Sequence, residues 1–294
     1  MDLYLSSPSP TALNLVQERS PESKLDILLT SARMPSDVAA HMTQFDGITR
    51  KWALDSGAFS DNNSKLNISR RELFSRHVNY AKEYGDKFDV IFNFDVDFEP
   101  DGFHTNNAYL QELKENGINA VPVIHNLKNH EIDTFIEGGY DYVAIGQQED
   151  KAKPDTLFPG VFKLHSHGVK THLFGITDFG LIAGCPATSC DSKSWLDDAL
   201  TGVVRFWNPE KPGENKTDVI YFPNELGKRK TGTFLCTEYS HIDQFKRFIG
   251  KYGLTIDDLR GLNGNVNKEF LGIIYYETVA KVVTATHATT PLFL

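Results

Sequence analysis

From residue 25 to residue 207, short apolar runs rich in β-branched and aromatic residues alternate with segments whose apolar positions recur every three or four residues. The runs predict eight strands, over 25–30, 52–55, 88–94, 120–125, 142–146, 171–175, 187–190 and 203–207. The seventh has little strand propensity of its own. Between them, 69–84 carries Leu73, His77, Tyr80, Ala81 and Tyr84 at helical spacing. Three further helices are predicted over 106–116, 130–137 and 191–200, each ending at or near a glycine.

Strand alternating with helix predicts a mostly parallel sheet with right-handed crossovers. Eight such units close into an α/β (β/α)8 TIM barrel. The alternative is an open doubly wound sheet, but no GxGxxG follows the first predicted strand, which weakens a dinucleotide-binding reading. After residue 207 the rhythm changes. Residues 208–216 are rich in Pro, Gly and charge and read as a loop. A strand over 218–222 follows, then a GKRK loop and two helices over 241–252 and 267–283. The predicted organisation is a barrel core over 1–207 and a C-terminal helical extension over 208–294 that packs on it without forming an independent domain.

A chain of 294 residues suits one large barrel with added elements. No apolar run approaches the roughly 20 residues that span a bilayer, and no basic segment precedes an apolar one at the N-terminus. No membrane contact and a cytoplasmic location are therefore expected. The cysteines are Cys185, Cys190 and Cys236, an odd and small set that argues against a disulfide framework. Cys185 and Cys190 have no second close Cys/His pair to complete a zinc site, so no metal is expected there. The net charge of −9 opposes an extended basic surface, so any grip on a nucleic-acid backbone must be local. Candidates are Lys228, Arg229 and Lys230, the Arg70-Arg71 pair, and Lys193.

Reactive residues of a barrel sit at the C-terminal ends of its strands. Read in chain order, those ends present Asp55 and Ser56, then Asn93, Asp95 and Asp97, then His125, then Gly146 and Gln147, then Asp178, Asp191 and Arg205. Each has a plainer reading. Asp55 before Ser-Gly suits a turn, and Asp191 before Ser-Lys-Ser-Trp suits a helix N-cap. Asp95 and Asp97 form a D-x-D that either caps a loop or, sharing one strand face, holds a divalent metal. His125 is a ligand contact or a satisfied core histidine. His165 and His167 form an H-x-H expected at the opposite rim.

Four segments carry a resemblance. LDSGAFS (54–60), YVAIGQ (142–147), THLFGITD (171–178) and SCDSKSW (189–195) resemble, in order, motifs of the tRNA-guanine transglycosylase superfamily. The resemblance implies a (β/α)8 barrel that exchanges a guanine-type base in a nucleic acid for a 7-deazaguanine. By motif, Asp191 would attack the sugar C1′ and Asp55 would be the acid/base carboxylate. Asp95 or Asp97 would recognise the base, and Gly146 and Gln147 would line its pocket; Ser56 at the strand end, His125 and Lys193 near the proposed site are further substrate-binding candidates read from position and charge. His125 stands where the family usually has Gln, which puts the base in doubt. The family's RNA-acting members carry a C-x-C-x2-C…H zinc site, whereas this chain has only Cys236 in that region and no appended RNA-binding domain. DNA is therefore the expected partner ahead of RNA, closest to the DNA-acting members, with a free modified base as second substrate and no cofactor.

The chemistry stands on its own physical footing. Departure of a base from C1′ builds positive charge on the sugar, which an ionised carboxylate beneath it stabilises and captures. A second, protonated carboxyl group donates to the leaving base. Aromatic side chains near the rim, Phe59, Trp195 and Trp207, are candidates to stack on an extruded base. If water completes the reaction, the same carboxylates make a DNA glycosylase that leaves an abasic site, a role suited to phage defence. A metal-dependent hydrolase or sugar transferase built on Asp95, Asp97 and His125, and a non-catalytic binding module, are the alternatives from other classes.

Overall fold

The computed structural model describes residues 1–58, 68–96, 102–146, 153–223, 228–229 and 231–291. Eight parallel strands form the central sheet: β1 (Asp2–Ser6), β2 (Leu25–Thr30), β3 (Thr49–Asp55), β4 (Val90–Ile91), β5 (Val123–Ile124), β6 (Tyr142–Ile145), β7 (Lys170–Leu173) and β8 (Ser189–Ser192). Their order is β4-β3-β2-β1-β8-β7-β6-β5, and a parallel bridge between Phe92 and Val121 joins the two outer strands. The sheet is thus a closed (β/α)8 barrel.

The count of eight agrees with the sequence, but its membership differs by one place at each end. The first strand is DLYLS at the N-terminus, which pairs with β2 on one side and β8 on the other. The run predicted as the eighth strand lies outside the barrel. It is β9 (Val203–Trp207), which pairs antiparallel with β10 (Thr217–Tyr221); β10 pairs in turn with β11 (Phe234–Leu235) to make a separate three-stranded sheet. Arg205 on β9 accordingly faces Asp198, with Nε 2.6 Å from Oδ2, and belongs to no strand end of the barrel.

The helices that cover the barrel are α1 (Pro10–Arg19), α2 (Val38–Phe45), α3 (Arg70–Tyr84), α4 (Phe103–Glu115), α5 (Glu131–Glu137), α6 (Pro154–Ser166), α7 (Phe179–Ala183) and α8 (Ser194–Leu200). Their starts follow local chemistry. Ser9 and Ser69 accept hydrogen bonds from Ala12 N and Glu72 N, capping α1 and α3, and Pro10 opens α1. The last two helices are α9 (Ile242–Gly250) and α10 (Asn265–Thr289). Helix α10 runs against α1, α8 and β1, the seam between the barrel's last and first strands. It supplies the long wall that the seven residues of α8 are too short to give. Among the described residues no helix is long and apolar enough to cross a membrane.

Strand alternation divides the core. Leu3, Leu5, Ile27, Leu29 and Leu54 point outward into the apolar layer beneath the helices. Tyr4, Leu28, Ala53, Phe92, Val123 and Ala144 point inward and fill the barrel. The same alternation carries the inward face of β3 from Ala53 to Asp55, of β5 from Val123 to His125, and of β6 from Ala144 to Gly146. The three thiols are free and buried.

Candidate active site

Asp191 lies within β8 and is only 8% exposed. The helix that follows takes Lys193, not Asp191, as its N-cap, so the plain capping reading of Asp191 does not hold. Three groups grip its carboxylate. Ser6 Oγ at the end of β1 donates to Oδ2 at 2.5 Å, Gly175 N beyond β7 donates to Oδ1 at 2.7 Å, and His172 Nε2 stands 3.6 Å from Oδ1. Burial opposes ionisation here, but the contacts from His172, Ser6 and Gly175 outweigh it and hold Asp191 below the ordinary carboxylate range.

Asp55 ends β3 in the opposite condition. Burial, then the charge of Asp95, then that of Asp191 push its carboxyl group up to about 8, against hydrogen bonds from the backbone N–H groups of Gly57 and Ser56. Both other carboxylates acting on Asp55 marks the three as neighbours at one rim. The turn reading is also true, since Gly57 N donates to Asp55 Oδ2 at 2.9 Å. Gly57 adopts φ +74°, and a Cβ there would come within 2.6 Å of Ala32 Cβ, so the turn that aims Asp55 requires glycine. Ser56 is buried, and its Oγ accepts from Ala58 N, so it builds the turn.

The third cluster pairs Asp95 with His125, both 8% exposed, with Nε2 3.1 Å from Oδ2. Glu131 anchors the backbone of this corner by accepting from His125 N at 2.7 Å. Gly146 lies against the His125 ring: a Cβ would meet its Cε1 at 2.6 Å and Val123 Cγ1 at 2.7 Å. Gly146 thus shapes the wall beside the histidine. Asp97, Gln147 and Phe59 lie outside the described residues. Lys193 is exposed, two residues beyond Asp191.

Other sequence expectations meet simpler ends. Trp195 is 1% exposed, with its Nε1 donating to Ser192 O, and is a core residue unable to stack on a substrate. Trp207 packs against Phe179 with ring centroids 5.2 Å apart. Asp178 caps α7 by accepting from Leu181 N. Among the described residues no group of three or more His, Cys, Asp or Glu side chains is placed to hold a metal ion.

Comparison with known proteins supports the fold and goes no further. No protein-family model matches the chain, and no curated protein does. Among solved structures it is similar to a Coccidioides immitis protein provisionally described as a fructose-1,6-biphosphate aldolase. The identity is 10%, the match covers 97% of this chain and 90% of that one, and the TM-score is 0.50. A second similar structure, provisionally described as a tagatose 6 phosphate kinase from Sinorhizobium meliloti 1021, shares 12% identity over 98% of this chain and 86% of that one, with a TM-score of 0.43. At this identity the first likeness speaks for the barrel alone.

Sequence reasoning missed Ser6, His172 and Ser189, and it read Gly175 only as a strand end. His172 and Gly175 lie inside the THLFGITD segment, and His172 falls on the inward phase of β7, a signal that period-two counting provides.

Proposed function

We propose that this chain is an enzyme that cleaves an N-glycosidic bond in a nucleic acid and exchanges the base, inserting a 7-deazaguanine into DNA. One observation carries the reading: two carboxyl groups at one barrel rim are driven in opposite directions, Asp191 toward the ionised form and Asp55 toward the protonated form. Such a split assigns nucleophile and acid by environment. The four motif resemblances supply the substrate class.

In this reading the target nucleotide leaves its stack, at a cost of about a few kcal/mol. An Asp191 oxygen attacks C1′, the C1′–N bond breaks, and its electron pair leaves with the base. Asp55 donates its proton to that base. The sugar is then held as an ester of Asp191. The ionised Asp55 takes a proton from the incoming base, whose nitrogen attacks C1′ and releases the Asp191 carboxylate. His125, Asp95 and Gly146 form the wall that meets the base edge, and Lys193 meets a phosphate.

The test is incubation of the protein with duplex and single-stranded DNA, with and without a free 7-deazaguanine, followed by mass spectrometry of released bases and digested nucleosides. Release of guanine matched by incorporation of the deazapurine supports exchange. Base release that leaves abasic sites means that water completes the reaction and the protein is a DNA glycosylase. No release from any DNA or RNA overturns both.

A further inference from the structure

A line of polar side chains runs through the barrel interior behind Asp191. Tyr142 OH at the start of β6 lies 2.6 Å from Ser189 Oγ, and Ser189 Oγ lies 2.7 Å from His172 Nδ1. The other ring nitrogen, Nε2, stands 3.6 Å from Asp191 Oδ1. Ser189 and His172 are both 0% exposed, enclosed by Tyr4, Phe92 and Phe174, whose rings pack around the imidazole. Tyr142 is half-buried, whereas Ser189 and His172 are sealed from solvent and meet protein groups in place of water.

The allotment of hydrogens along the line has a direction. His172 Nε2 faces the Asp191 carboxylate, which when ionised can only accept, so the ring places a hydrogen on Nε2, and a neutral ring leaves Nδ1 as an acceptor. Nδ1 then takes the Ser189 hydrogen, and Ser189 Oγ in turn accepts from the Tyr142 phenol. We infer that Tyr142, Ser189 and His172 form a positioning relay that fixes the neutral Nε2–H tautomer of His172 and so keeps an N–H aimed at Asp191. None of the three touches the reacting atoms; they act through the carboxylate, and the relay's catalytic meaning rests on Asp191 being the nucleophile proposed above. Besides the relay, Asp191 is faced by Ser6 from β1 and Gly175 N from beyond β7, and its charge is felt by Asp55 on β3 and Cys190 on β8.

The first experiment needs neither a variant nor a substrate. Imidazole 15N chemical shifts of His172 in the wild-type protein should show hydrogen on Nε2 and none on Nδ1 across neutral pH. Hydrogen on Nδ1, or on both nitrogens, overturns the relay. Titration of the Asp191 carboxyl carbon then tests the coupling: Ser189→Ala and His172→Leu should raise its midpoint by about one pH unit, whereas His172→Gln, which keeps an N–H donor, should restore part of it. An unmoved midpoint in folded His172→Leu overturns the coupling. In the base-exchange assay the same variants should lower kcat about tenfold with little change in KM and move the acid limb of the pH profile upward. If the wild type is inactive on every nucleic acid while the tautomer and the titration behave as expected, the functional reading fails and the relay stands.

Discussion

At the N-terminal end of the barrel, Asp2 and Asp26 are met by cations. Arg50 reaches both, with Nη2 2.9 Å from Asp2 Oδ1 and Nε 2.9 Å from Asp26 Oδ1, and Lys51 Nζ lies 2.8 Å from Asp2 Oδ2. At the C-terminal end, the charges of Asp95 and Asp191 both act on Asp55, and the side chains beside Asp95 and Asp191 are the histidines His125 and His172. The two ends use the same residue type for different work. The acids below are met by cations; above, burial and neighbouring carboxylates push Asp55 up while hydrogen-bond donors hold Asp191 down.

The largest break in this comparison should come from Asp191→Asn. It keeps the shape of the side chain but removes the charge, and base exchange should fall on the order of 10⁴-fold in a single-turnover assay while the melting temperature holds or rises. Asp55→Asn should cost about 10²–10³-fold in kcat/KM, from loss of the acid. Its pH behaviour is the sharper test. In the proposed mechanism Asp55 acts while protonated, so wild-type activity should fall as pH rises through about 8, and the variant's profile should lack that limb. The same carboxyl group in the unfolded chain has the lower ordinary value of 3.8, so the folded state holds a proton that the unfolded chain gives up above that pH. Its contribution to stability is full at low pH and is lost as pH climbs through about 8. Asp55→Asn should therefore raise the melting temperature more at pH 9 than at pH 5.

The lower end should answer in the opposite way. Arg50→Ala leaves the buried Asp26 without its guanidinium partner and should cost about 1–2 kcal/mol in denaturant unfolding, with kcat/KM unchanged. The smallest effect is expected from Lys193→Ala. It should weaken DNA binding uniformly across sequences and reduce the slope of log affinity against log salt by about 1.

Much of this arrangement was legible in the sequence because it depends on each strand separately. A polar residue at the end of an apolar run is aimed by its own strand's alternation, so Asp55 and His125 could be placed without knowing the strand count. The count itself slipped. DLYLS alternates correctly but is five residues long and lies before the repeating pattern begins, whereas VVRFW has every property of a barrel strand and differs only in its partner. Pairing is a long-range property, and nothing local in VVRFW tells a parallel neighbour from an antiparallel one. Trp195 shows the same limit: its position three residues after Ser192 suggested the rim, while its burial is decided by α10, far along the chain. The Tyr142–Ser189–His172 line joins three strands and could not be assembled from any one of them.

Ser6 stands on the first barrel strand in chain order and Asp191 on the last, 185 residues later, and their 2.5 Å contact ties two strands that pair side by side over four residues. The reactive carboxylate therefore acquires its serine clamp only when that pairing forms. Any separation of β1 from β8 would loosen the clamp along with it, so the state of the Asp191 carboxylate reports on whether the first and last strands are paired.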